Sequence, residues 1–146
     1  MERKKDYKKI KTYEDACRVL GVEKRDFIGM ERDEIAYIKL KTIAKSLNGE
    51  WKPDFTNRMQ YKYRPWFWLS PREKSDAMNE TDRKRVVFFS ESAHGGTPYD
   101  FLYAGTFYAE SLAYADICSH LCFKNKEISD YVGRNFLEIW RDYILN

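Results

Sequence analysis

Long apolar runs are missing from this chain: none exceeds four residues, as at 66–69 (WFWL), 86–89 (VVFF) and 101–104 (FLYA). A bilayer-crossing helix needs about 20 apolar residues in succession, so no membrane span is expected. The first residues are charged with no apolar stretch behind them, which argues against a secretory signal. Cysteine is scarce and odd in number, at three, and this fits reduced thiols in a cytoplasm better than a disulfide framework. Seven glycines and four prolines leave no room for collagen-like or low-complexity tracts. No P-loop, dinucleotide fingerprint, HExxH pair, EF-hand loop or GxSxG nucleophile elbow occurs. The acids form no spaced pair of the kind a nuclease or glycosidase requires. Residues 91–123 lack Lys and Arg altogether.

What the chain does have is rings. Eleven Tyr, nine Phe and four Trp make it 16% aromatic within a 43% hydrophobic, 34% charged composition, which excludes a disordered chain. Its 146 residues suit one domain, since domains commonly hold roughly 100–150. A net charge of +3 is too small for wholesale polyanion binding, but the charge is unevenly spread. Residues 1–11 hold six bases and two acids, 52–85 hold nine bases and five acids, and 91–123 hold four acids and no base. Residues 1–11 therefore read as a basic N-terminal arm and 12–146 as a single domain.

Thr12 with Asp15 predicts a capped helix start. Tyr13, Ala16, Cys17 and Leu20 then recur at helical spacing up to Gly21, a left-handed stop. A second, longer helix is expected over 31–47, with Ala36, Leu40, Ile43, Ala44 and Leu47 as its buried stripe. Residues 61–69 are extended, and Pro65 confines them to an edge strand or an irregular segment. Residues 85–90, 100–104 and 117–123 are strand candidates; 106–114 favours strand, though its alanines and leucine permit helix. Asn125 caps a last helix whose face comprises Ile128, Tyr131, Val132, Phe136, Ile139 and Tyr143. Gly133 inside it costs about 1 kcal/mol relative to Ala, so close packing is expected there. These elements make an α+β domain: an antiparallel sheet of about four strands, with helices from both chain ends packed on one face.

The order of short motifs carries a family resemblance. Residues 10–17 (IKTYEDAC), Leu47-Asn48, residues 51–54 (WKPD), Tyr61-Lys62-Tyr63, Pro65-Trp66-Phe67 and residues 121–124 (LCFK), followed by Tyr131, Gly133 and Phe136, are all present. The chain resembles a family of small proteins of Bacteroides-type gut bacteria and their phages and prophages, crAss-like phages included, for which no activity is established. The resemblance spans most of the chain from residue 10 onward. It implies a phage or mobile-element setting, an intracellular location in the bacterial host and no enzymatic activity, and it carries over no catalytic residues. Three departures stand out: Trp68 replaces an acid, Cys118 and His120 replace a Gly and an Arg, and the basic leader is longer.

Cys118, His120 and Cys122 alternate as strand neighbours on one face do and could converge on a metal. A closed zinc site needs a fourth ligand, and no paired CxxC supports one, so small buried thiols flanking a histidine are expected instead, with neither metal nor cofactor. His94-Gly95-Gly96 reads as a turn rather than an oxyanion loop. The functional signal is the basic-aromatic stretch, where Arg58, Lys62, Arg64, Arg72 and Lys74 interleave with Tyr61, Tyr63, Trp66, Phe67 and Trp68. Cations along the phosphates and rings stacked on bases are how proteins hold single strands; Arg83, Lys84 and Arg85 extend the charge. Rings in a sheet are also ordinary core. The expected function is thus a non-enzymatic accessory protein binding single-stranded nucleic acid through Arg58, Lys62, Arg64, Trp66, Trp68, Arg83, Lys84 and Arg85. The alternative is a protein-interaction module or inhibitor of a host or phage protein, with Tyr99, Asp100, Tyr103, Tyr108, Glu110 and Tyr114 on an acidic, Tyr-rich surface.

Overall fold

The computed structural model describes residues 6–71, 88–92, 98–109 and 119–146. Helix α1 (Tyr13–Leu20) begins as the sequence predicts: the Thr12 side chain accepts from Asp15 N, the Asp15 carboxylate accepts from Thr12 N, and Gly21 closes the helix at φ 67°. Helix α2 (Arg32–Asn48) buries the five expected stripe residues. Strands β1 (Lys62–Pro71), β2 (Phe88–Ser92) and β3 (Pro98–Ala109) form an antiparallel sheet with β3 central. Asn125 Oδ1 accepts from Ile128 N at 2.9 Å to start helix α3 (Lys126–Asn135), which is followed by α4 (Leu137–Leu145). The chain is therefore α+β, and the described sheet has three strands.

Two elements differ from expectation. The last helix is broken at Phe136, whose φ and ψ are −122° and 33°. Side chains take up carbonyls near the break: Asn135 Nδ2 donates to Tyr131 O at 2.8 Å, and the Trp140 indole donates to Val132 O at 3.2 Å. The strand expected over 117–123 is, from Ser119 to Leu121, a 3-10 turn, and its first two residues lie outside the described residues. Among the described residues of this segment only Phe123 pairs with the sheet, exchanging both backbone hydrogen bonds with Tyr63 at 3.0 and 2.8 Å. On either side of it, the buried Asn48 side chain donates to Cys122 O at 2.8 Å and accepts from Lys124 N at 3.1 Å. One amide side chain thus does for 122–124 what a neighbouring strand would do.

β1 is an edge strand, as Pro65 requires. Tyr63 spends its backbone groups outward on Phe123, so by ladder alternation the nitrogen of Pro65 also faces outward, where a missing donor costs nothing. Register shifts between Trp66 and Phe67, with Ala104 the extra residue on β3. The bulge lets Tyr103 and Thr106, three positions apart, both face the helices.

One core joins the layers. The Phe67 ring meets Phe101, Tyr103 and Trp140, stacking on Phe101 at 4.9 Å. α3 and α4 lie against the sheet, α2 packs on α4, and α1 packs on α2. Part of the expected basic arm belongs to this body: Ile10 is buried, its carbonyl accepts from the Tyr131 hydroxyl at 2.6 Å, and Tyr7 meets the Tyr131 ring edge-on at 5.3 Å. Gly133 shows why a helix interior carries a glycine: a Cβ there would lie 2.4 Å from Tyr103 Cε2 and 2.8 Å from Pro65 Cβ.

Gly133→Ala, which improves helix propensity, is therefore expected to lower stability by about 1–3 kcal/mol through overpacking. Urea unfolding measures it, and a stabilised variant would refute the contact. Asn48→Ala leaves Cys122 O and Lys124 N without their buried partner, at an expected cost of about 1–3 kcal/mol; an unchanged urea midpoint would show that water replaces the amide.

Candidate nucleic-acid interface

Side chains alternate across a strand, so the face opposite the helices carries Lys62, Arg64, Trp66 and Trp68 from β1. Trp66 and Trp68 stay 38% and 46% exposed, their rings edge-to-face at 5.2 Å. Room for Trp66 comes from Gly105, its cross-strand partner: a Cβ on Gly105 would lie 3.1 Å from the indole Nε1. Opposite Trp68 on β3, Leu102 is fully buried. Next along the face, Arg64 pairs with Phe107 across the strands, and its guanidinium lies 5.4 Å from that exposed ring. This distance is within cation–π range.

Lys62 is a correction. Although it shares this face, it is only 4% exposed, and its Nζ donates to the backbone oxygens of Asp54 and Asn57. A long charged side chain is rarely buried unless paired. Here it serves the loop rather than a phosphate. Arg58 sits exposed in that loop. Arg72, Lys74, Arg83, Lys84 and Arg85 lie outside the described residues.

The alternative surface loses its centre. Tyr103 is 1% exposed, with its hydroxyl donating to Asp130 Oδ1 at 2.5 Å and lying 3.2 Å from Thr106 Oγ1. It is a core residue because the bulged central strand turns it toward α3. Thr106 Oγ1 donates in turn to the fully buried Ser129 Oγ at 3.0 Å, and Lys126 Nζ bonds Asp130 Oδ2 at 2.6 Å. Tyr108, 62% exposed, meets Tyr61 edge-on at 5.5 Å. Tyr99 and Asp100 are described only as backbone positions of β3, and Glu110 and Tyr114 lie outside the described residues.

Cys17 and Cys122 are buried and in no disulfide, and His120 is exposed. Cys118 and the 94–96 turn lie outside the described residues. Among the described residues no group of three His, Cys, Asp or Glu could hold a metal, and no helix is long and apolar enough to cross a membrane. Sequence reasoning missed Phe107, Gly105 and Phe55 as parts of the outer face. An isolated glycine within a strand does signal close approach, but only strand register reveals which ring approaches it. Compared with protein-family models, curated proteins and solved structures, the chain gives no significant match.

Burial and the bond to Asp130 push the Tyr103 hydroxyl up from 10.0 to about 12. Burial alone would raise the Asp130 carboxyl, but bonds from Lys126, Thr106 and Tyr103 hold it below its usual value. A folded pKa above the unfolded one gives stability that is complete below pH 10.0 and lost as pH rises through about 12. Urea midpoints across that window should fall, and fall less in Tyr103→Phe; equal losses in both proteins would show that Tyr103 is not the titrating group.

Proposed function

We propose that the sheet face opposite the helices binds single-stranded nucleic acid, with Trp66 and Trp68 stacking on bases and Arg64 and Arg58 facing phosphates. The observation that carries this reading is the exposed tryptophan pair beside a cationic side chain, on a face that the described helices do not pack against. Large rings left in water serve recognition of planar, apolar partners, and every base offers such a face, so the binding is sequence-tolerant. The excess of bases over acids across 52–85 matches a polyanion. In the setting the family resemblance implies, the protein is a non-enzymatic accessory factor of a phage or mobile element, acting in the cytoplasm of the bacterial host. A protein interface on the acidic stretch has less support, since Tyr103 is internal and the exposed Tyr61–Tyr108 pair is what the described side chains leave to it.

The test is titration of a labelled oligonucleotide at two salt concentrations. Binding should weaken as salt rises. Trp66→Ala and Trp68→Ala should each cost about 1–3 kcal/mol, the usual value of one base stack. No binding at low salt, or undiminished binding by the double variant, would overturn the reading.

A further inference from the structure

The loop that Lys62 holds is built to keep side chains in water. Asp54 Oδ1 accepts from Thr56 N at 2.9 Å and from Thr56 Oγ1 at 2.6 Å, and Asn57 Oδ1 accepts from Met59 N at 2.9 Å. The Gln60 side chain ties the two ends, accepting from Asp54 N at 2.6 Å and donating to Lys52 O at 2.9 Å. Beneath them, the Lys62 ammonium gathers the Asp54 and Asn57 carbonyls and lies 5.4 Å from the Phe55 ring centroid. Yet Met59 at the tip is 86% exposed, Arg58 is exposed beside it, and Phe55 is partly so. Such ordering does not serve the core, because it leaves Arg58 and Met59 in water and Phe55 only partly covered. It fixes where they stand, which is what a binding loop on a rigid scaffold requires.

Lys62 points from the same face of β1 as Arg64, Trp66 and Trp68, so the loop it anchors lies over that face at the strand's N-terminal end. From Lys62 to Trp68 the strand runs about 20 Å, at about 3.3 Å per residue. We propose that the loop of residues 54–60 is the second contact of the single-strand surface. Arg58 reaches a phosphate there, and Lys62 acts as the positioning residue that holds the loop in register with the tryptophan pair. This rests on the single-strand reading above. It gives the bound strand a direction along β1, with bases at the Trp66–Trp68 end and an anchored phosphate at the Arg58 end.

Binding of a labelled oligothymidylate across a salt series tests it, using the full chain, Arg58→Ala, Lys62→Met and the double variant. Each phosphate contact contributes a salt slope of about −0.7 on a single strand. Arg58→Ala should weaken binding and make the slope shallower by about that amount. Lys62→Met should do the same without removing an exposed charge, and the double variant should lose no more than either single one, because both remove one contact. Circular dichroism checks that Lys62→Met stays folded, and Arg58→Ala, at an exposed position, stands as a test without it. Unchanged affinity and slope in Arg58→Ala, or strictly additive losses in the double variant, would overturn the proposal while leaving the tryptophan reading intact. Failure of the unaltered chain to bind would remove both.

Discussion

The contact between the Tyr103 ring and Gly133 sets which side of the sheet becomes the interior. A side chain at 133 would occupy the space of the ring, so only glycine lets α3 come this close. The Tyr103 hydroxyl then has to be satisfied inside, and Asp130, held by Lys126, satisfies it. Once this face is inside, strand alternation leaves no choice for β1. Pro65 and Phe67 turn inward to Gly133, Tyr103 and Trp140, and Trp66 and Trp68 turn outward. The exposed tryptophans follow from where a helix found room to dock.

The helical elements were legible because their signals are local. Thr12, Asp15 and Gly21 mark the two ends of α1 by side-chain and backbone geometry within one turn, and Asn125 does the same for α3. The stripe of α2 needs only a 3.6-residue period. The sheet was legible as strands but not as faces. Trp66 and Trp68 share one side of β1 and Pro65 and Phe67 the other, and both sides are apolar, so the pattern alone cannot say which one the helices cover. A bulge at Ala104, invisible without the register, decides how Tyr103 and Thr106 are oriented. Lys62 misled for a related reason: its charge belongs to a basic stretch, while its role depends on two carbonyls five and eight residues earlier. Tyr103 misled because tyrosine composition speaks of interfaces only when the ring is outside.

Several polar side chains stand in for backbone in this fold. Asn48 acts as a strand neighbour to 122–124, Gln60 closes a loop, and Asn135 and Trp140 take up carbonyls at the α3–α4 break. Each satisfies groups that regular secondary structure would otherwise have to pair. Leu47-Asn48 and residues 121–124 are distant in sequence and meet through the Asn48 side chain.

The four tryptophans offer a direct measurement of the central claim. Trp140 is buried with its indole N–H donated to Val132 O, whereas Trp66 and Trp68 stand on the open face. Indole N–H resonances, assigned by single Trp→Phe substitutions, can be followed while an unstructured oligonucleotide is added. On a single-strand surface the Trp66 and Trp68 signals should move together and saturate while Trp140 stays in place. Movement of Trp140 with Trp66 and Trp68 unmoved, or no movement at low salt, would contradict it.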